Sequence, residues 1–423
     1  MSRQRPVSRR PILLMVYDFG SVSPTRVARA AAGNECDIVF VQAESPHARA
    51  MRPVLQRLGP VIDAAVCSES ALVAQLRELG PDGILTFSEV ELARTARLAQ
   101  ALSLPYQDVA AIEAIVRKDV QRRRLAIAGV ERLRHRTITA MSEVAEAVEF
   151  VGLPAIIKPV SGVASRNTFA VSTREHCQQG VADLLGGDGR GDALESAVLL
   201  EELLPGRPTE SPWGDYVGVD CVAHQGDVQP LFVTSKFELA QPYRERGGYG
   251  GVSVVEERLL AQAQELACRA LRALGIRHGL AGAEIKFTPD GPRVIEVNGR
   301  LGGWVDDLAV RSGTADPVDV AIKCALGRDF PPPRLQSGYP IVFNYLVIPP
   351  LSARRVASIH NVMALRRLRN VDRVQVSARV GRSVHWRLGS TSGVAGVCGT
   401  ADDHDELAKT VAEIEDADWI RYE

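Results

Sequence analysis

Residues 283–300 read Ala-Glu-Ile-Lys-Phe-Thr-Pro-Asp-Gly-Pro-Arg-Val-Ile-Glu-Val-Asn-Gly-Arg, two β-prone runs joined by Pro289-Asp290-Gly291. Proline presets φ for a turn and glycine accepts a positive one, so the stretch is expected to close as an antiparallel hairpin. With Asp290 as midpoint, Glu284 and Glu296 are equidistant from the tip, and simple register sets them face to face. A one-residue slip would break this pairing, because side chains alternate faces along a strand. Carboxylates directly across a ladder sit roughly 5 Å apart, and like charges there repel. Protonation of one resolves the conflict. A divalent metal also resolves it, and magnesium takes one or two carboxylates plus substrate phosphates. Asn298 and Arg300 fall on the same face as Glu296. Asn298 would add a neutral oxygen, and Arg300 a fixed cation for a carboxylate or a phosphoryl group in transit. Either glutamate alone reads as a solvated edge; the set in register favours the metal.

The first hundred residues alternate short apolar runs with amphipathic stretches. Strands are expected at 12–17, 37–41 and 83–87, with a further apolar run at 61–67. Helices are expected at 25–33, 45–58, 70–79 and 89–102. This alternation indicates an α/β unit with a parallel sheet covered on both faces, ending near Leu104-Pro105. The first turn, Asp18-Phe19-Gly20-Ser21, lacks G-x-G-x-x-G, and its Asp-Phe-Gly has no kinase companions. A basic helix over 109–128 follows, then a helix over 142–151 and a strand over 155–158. Pro331-Pro332-Pro333 reads as a stiff connector. Beyond it a separate β-rich unit is expected, with strands at 341–348, 374–380 and 383–386 and a closing helix at 403–415.

Composition narrows the partners. Of 423 residues 46% are apolar and 24% charged, with a formal net charge of −1, which suits a globular protein and gives no footprint for bulk nucleic-acid or membrane binding. The basic start (Arg3, Arg5, Arg9, Arg10) reads as a solvated tail. Ser8-Arg9-Arg10-Pro11-Ile12-Leu13 faintly resembles a twin-arginine signal, but its apolar run stops at Asp18. Seven cysteines without a C-x-x-C read as reduced thiols, and a cytoplasmic location is expected. Only six of fifty basic residues are lysine (Lys118, Lys158, Lys236, Lys286, Lys323, Lys409), so a retained lysine marks a place that suits a compact ammonium. Among the histidines, His278 and His385 are the candidates for a cleft.

The hairpin ending Glu296-Val297-Asn298-Gly299-Arg300 resembles the metal-binding signature of the ATP-grasp superfamily. Three further stretches follow that superfamily's order. They are Arg117-Lys118-Asp119, then Gly152-Leu153-Pro154-Ala155-Ile156-Ile157-Lys158-Pro159 leading into Ser161-Gly162-Val163-Ala164-Ser165, and Val198-Leu199-Leu200-Glu201-Glu202-Leu203-Leu204-Pro205-Gly206.

The resemblance implies an α/β fold, α+β in its central part. It divides the chain into an N-terminal α/β domain (1–108), an ATP-binding lid (109–195), a catalytic subdomain (196–333) and a C-terminal β-rich domain (334–423). It implies ATP and Mg2+ (or Mn2+) as cofactors, with Glu284, Glu296 and Asn298 on the metal and Lys118 and Lys158 on the nucleotide phosphates. Ser161, Gly162 and Ser165 belong to the flexible phosphate loop, whose single glycine departs from the family. Glu201, Glu202, Leu203 and Leu204 form the adenine hinge. Asp215 stands for the ribose-binding glutamate, with Glu210 as competitor.

Two details resemble the L-amino acid ligases, which form dipeptides. Gly303-Trp304 lies where that group places a bulky residue beside the substrate. Pro242-Tyr243-Arg244-Glu245-Arg246-Gly247-Gly248 is similar to their Pro-x-x-Glu-x-Gly-His loop, with Gly248 in place of histidine. The implied activity is an ATP-dependent carboxylate–amine ligase working through an acyl phosphate. Arg300 would act on that intermediate, and Glu245 on a substrate amino group. The implied partners are amino acids and a second copy of the chain. Two alternatives stand beside it: an ATP-grasp ligase or carboxylase with another acceptor, and a nucleotide-binding regulator without turnover.

Overall fold

The computed structural model describes residues 9–66, 68–186, 195–333, 335, 338 and 340–423. Arg3, Arg5 and Cys67 lie outside the described residues. At the N-terminus β1 (Ile12–Tyr17), β2 (Asp37–Gln42), β3 (Val61–Asp63) and β4 (Gly83–Leu85) form a parallel sheet in the order β3-β2-β1-β4. Its central strand is apolar at every position and buried in five of six, as a strand covered on both faces must be. Ser23, Ser45 and Ser68 cap the three helices that follow β1, β2 and β3, each accepting a backbone N–H from the first turn. The last of these helices is Glu69–Leu79, so it opens at Glu69, one residue before the expected start at 70, behind the cap Ser68.

This unit is welded to the rest of the chain. Val27 and Phe40 share one apolar core with Leu308 of the helix Val305–Arg311 and Ile322 of the helix Pro317–Ala325. Arg26 forks onto Asp306 at 3.1 Å through both nitrogens. Each large apolar side chain so buried stabilises by about 1.5–3 kcal/mol, so the loops at the C-terminal ends of β1 and β4 are held in fixed positions.

Residues 135–202 contain a second sheet. β5 (His135–Ile138), β6 (Ala155–Pro159), β7 (Phe169–Val171) and β8 (Val198–Glu202) pair antiparallel in the order β5-β8-β6-β7. The helices Val144–Val151 and Arg174–Gly186 pack on one face of it.

The largest sheet has eight strands: β9 (Trp213–His224), β10 (Asp227–Phe237), β11 (Gly247–Gly250), β12 (Gly279–Thr288), β13 (Gly291–Asn298), β14 (Ile341–Val347), β16 (Val371–Val376) and β17 (Ala395–Ala401). β15 (Val356–Ile359) and β18 (Ile420–Tyr422) pair separately. The spatial order β13-β12-β9-β10-β11-β14-β17-β16 carries a consequence that the sequence did not show. Beyond the proline run only β15 and β18 form a separate two-stranded sheet among the described residues; β14 pairs with β11 over four residues, so β14, β17 and β16 extend the sheet that holds the hairpin. The expected boundary at 333/334 is therefore no break in hydrogen bonding.

Two other expectations are corrected. The basic helix is two helices, Val109–Val116 and Lys118–Ile127, broken at Arg117, whose φ of −98° and ψ of 108° are extended. The expected strand 383–386 is absent: Ser383 makes one isolated bridge to Arg355, and a 3-10 turn runs over Trp386–Ser392.

Candidate active site

The hairpin closes as its composition requires, and Glu284 does stand opposite Glu296. The route differs from simple register. Near the tip the pairs are Thr288–Gly291, Phe287–Pro292, Lys286–Arg293 and Ile285–Val294, and continuing them would set Glu284 against Ile295. A bulge between Glu284 and Ile285 in the ladder takes up the odd residue and restores the carboxylate pairing. Asn298 faces Gly282 two rungs further along.

Burial and the facing Glu296 push the Glu284 carboxyl up to about 7. Glu296 is also penalised by burial, but Lys118 and Lys158 overcome the penalty and hold it below the usual carboxylate range. One carboxylate of the pair is thus matched by lysines, and the other lacks a cation of its own.

The helix break at Arg117 explains how the first lysine arrives. Lys118 opens the second helix, and its N–H donates to Val160 O at 2.9 Å, which ties the helix start to the end of β6. Its ammonium lies 3.2 Å from Glu296 Oε2 and donates to Gly162 O at 3.2 Å. Lys158, on β6, sits 2.5 Å from Glu201 Oε1, and Arg122 Nε lies 3.0 Å from Glu201 Oε2. Burial alone would raise Glu201, yet the two cations hold it down at about 2. Lys158 moves the other way, lowered by burial and by the competing Arg122 charge. Two cations share one anion, so Lys158 has charge to spare for a further anion.

The loop at 161–168, expected to be flexible and to carry phosphate, has one glycine and more than one positive φ. Besides Gly162, the residues Ala164, Ser165 and Asn167 have φ of 57°, 55° and 54°, each at a cost of about 1–3 kcal/mol. Within it Arg166 N donates to Val163 O and Thr168 N to Ser165 O. Glu195 holds the loop from outside through Arg166, at 2.5 Å, and Asn167, at 3.0 Å. In the segment expected as the adenine hinge, Glu202 pairs with Arg134 at 2.7 Å, and Leu203 N donates to Pro154 O at 3.4 Å. Leu204 follows beyond the end of β8. Asp215 is half-buried and bonded to Lys286 at 2.8 Å, whereas Glu210 is exposed.

Arg300 leaves β13 and meets a residue that the sequence did not single out. Its Nε lies 3.3 Å from Oε2 of Glu89, in the loop after β4. Burial raises the Glu89 carboxyl despite Arg300, Lys118 and the Gly299 N–H, all of which pull it down. Its only sequence signal was position, at the carboxyl end of a parallel strand, where α/β sheets place their ligand crevice. Asp220 on β9 was also missed. Its Oδ1 accepts from Gly302 N at 2.7 Å and pins the segment 300–304, and burial pushes its pKa up to about 6.

Trp304 ends that segment with φ 62° and ψ −4°, a conformation that is strained for a bulky side chain. It packs on a small cluster of Ala240, Leu346 and Ile348, to which the C-terminal strand β14 contributes. Glu245 is ion-paired with buried Lys236, which lies on β10. Gly248 pairs with both Lys236 and Asn344, and an added side chain there would lie 2.4 Å from Ser235 O, so no histidine fits in this arrangement. His278 lines a small cavity with Arg300 and Leu301, and His385 accepts from Arg387 N at 3.2 Å in the turn after β16.

The opposed glutamates fit a divalent metal. Their mutual repulsion is relieved by one, and Asn298 adds oxygen beside them. Among the described residues no group of three or more His, Cys, Asp or Glu forms a closed cage, so the remaining ligands would come from phosphate oxygens and water.

Comparison with known proteins bears on the same region. Residues 130–304 match the ATP-grasp domain family. The uncharacterised protein y4rH of Sinorhizobium fredii is 29% identical over 264 residues, 61% of this chain and 52% of that protein. The alanine–anticapsin ligase of Bacillus subtilis is 25% identical over 236 residues, 53% of this chain and 49% of that protein. The chain spans about half the length of these curated relatives. In fold it is similar to an L-amino acid ligase from Bacillus licheniformis, with a TM-score of 0.73 at 20% identity, covering 99% of this chain and 100% of that one.

Proposed function

We propose that this chain, which carries an ATP-grasp domain across residues 130–304, is an ATP-dependent carboxylate–amine ligase that joins two L-amino acids. The observation that carries the reading is the meeting of Lys118 and Lys158 with Glu296, opposite Glu284, and with Arg300 joined to the group through Glu89. The ligase names among its relatives support the choice of reaction.

In this reading the carboxylate of the first amino acid attacks the γ-phosphorus of ATP, and ADP leaves. Lys118 and Lys158 neutralise the nucleotide phosphates, and the strained loop 161–168 directs N–H groups at them and excludes water. Glu284, Glu296 and Asn298 would hold magnesium, which would supply charge neutralisation for that transfer. The second amino acid gives up its ammonium proton to solvent and attacks the acyl carbon as free amine; phosphate departs with the bridging electron pair and takes the proton that the new amide nitrogen sheds. Arg300, steadied by Glu89, holds the oxygens that gain charge in both steps. Glu245 shares its charge between Lys236 and the substrate ammonium. Trp304 walls the side-chain pocket. The six cysteines among the described residues are free and buried, which suits a reducing cytoplasm.

The pure protein incubated with ATP, magnesium and pooled amino acids tests this. The expected result is ADP release that depends on amino acids, together with a new dipeptide mass. ADP release indifferent to amino acids would refute the dipeptide reading, and nucleotide binding without ADP would refute turnover.

A further inference from the structure

The segment 385–392, which lies outside the residues so far given a role, touches both halves of this site. At its centre Gly389 has φ 61° and ψ −144°, and a Cβ there would lie 2.0 Å from Ala164 O and 2.6 Å from Arg166 N. The backbone of this turn therefore lies directly against the backbone of the phosphate loop. Two hydrogen bonds fasten them: Ser390 N donates to Ala164 O at 2.8 Å, and Asn167 N donates to Arg387 O at 3.0 Å. Side chains add to the seam, with Arg387 2.7 Å from Asp183 of the lid and Trp386 edge-on to Phe169 of β7.

The same turn holds the other loop. Ser390 Oγ accepts from Glu245 N at 2.7 Å, and Arg244 reaches Ser392 Oγ at 3.4 Å. Ser390 is buried, with 8% of its surface exposed. One residue thus joins the phosphate loop through its backbone and the Glu245 loop through its side chain. When the loop is down over the nucleotide, the peptide that carries Glu245 is fixed as well.

We propose that Ser390 is a positioning residue that couples closure of the phosphate loop to the placement of Glu245, so that the anchor for the amine substrate is assembled only when the loop is closed. This rests on the ligase reading for the identity of the amine; the latch itself rests on the contacts alone. It gives the C-terminal strands a task in the reaction, because the turn is suspended between β16 and β17.

Two variants test it. Arg166 lies in the loop with 39% of its side chain exposed, so trypsin cleavage after it reports how firmly the loop is held. Gly389→Ala places a methyl group against Ala164 O and is expected to speed that cleavage at least tenfold. Unchanged cleavage overturns the latch, whether or not the ligase reading stands. Ser390→Ala keeps the N–H to the loop and removes the acceptor for Glu245 N. It is expected to raise the KM of the amine substrate about tenfold, leave the KM of ATP within twofold, and be rescued by Ser390→Thr. Equal rises in both constants, or no rise in either, overturn the coupling. The ligase reading is judged separately, by turnover of the unaltered chain.

Discussion

Replacing Glu284 by glutamine separates the electrostatic role of this residue from its shape. The side chain keeps its length and one oxygen and loses the charge that burial and Glu296 make unfavourable. Its pKa rises from an ordinary 4.5 to about 7 in the folded chain. At ~1.4 kcal/mol per unit this shift corresponds to roughly 3 kcal/mol. The sign follows from linkage: a carboxyl raised on folding stabilises fully below its unfolded pKa, and that contribution is lost as pH climbs through the folded value. Without nucleotide or metal, the native chain should therefore lose about 3 kcal/mol from this group between pH 4.5 and pH 8. Glu284→Gln behaves as the permanently protonated form. Its stability gain should be on the order of 3 kcal/mol at pH 8 and under ~1 kcal/mol at pH 5. Urea unfolding at both pH values, with and without magnesium and ATP, reads this directly. The increment expected from magnesium and ATP in the unaltered chain should shrink in the variant, which would lack one charged metal ligand. Equal gains at both pH values, a loss at pH 8, or an undiminished increment would refute the argument.

Asp220→Asn keeps an oxygen for Gly302 N and removes a group raised to about 6. The native contribution of Asp220 is full below the ordinary aspartate range and gone above pH 6, so the variant should gain on the native chain by roughly 2–3 kcal/mol between pH 4 and pH 6.5 in the same unfolding assay. Glu89→Gln leaves the Arg300 guanidinium without its charged partner, and kcat should fall roughly 10–100-fold with the KM of ATP unchanged, as steady-state kinetics would show. Trp304→Ala opens the wall formed with Ala240, Leu346 and Ile348. A competition among amino acids should shift toward bulkier first substrates by about tenfold or more.

The hairpin was legible because its information is local: a turn tripeptide sets the register, and the opposed glutamates follow. Even there the pairing is reached through a bulge that no residue type announces, since Ile295 looks like any strand residue. The break at Arg117 was not legible, because the run 109–128 has helical periodicity throughout and only the bond from Lys118 N to Val160 O decides where the chain must bend. The backbone course of the loop at 161–168 was not legible, because glycine is the usual sign of positive φ, and here Ala164, Ser165 and Asn167 adopt it as well. Glu89, Asp220 and Arg122 became visible only when distant elements were brought together. Each is one charged residue among many in the sequence, and its partner lies from 79 residues away, as for Arg122 and Glu201, to 211, as for Glu89 and Arg300. Lys236 stood out as one of six lysines, but its pairing with Glu245 did not.

The unbroken run of eight strands carries one sheet from the opposed glutamates to the neighbourhood of Trp304. Glu284 and Glu296 lie on β12 and β13 at one border, while β14, five strands from β13, contributes Leu346 to the cluster on which Trp304 packs. On the proposed ligase reading, substitutions in the far strands alter the choice of acceptor while the border that carries the glutamates stays unchanged.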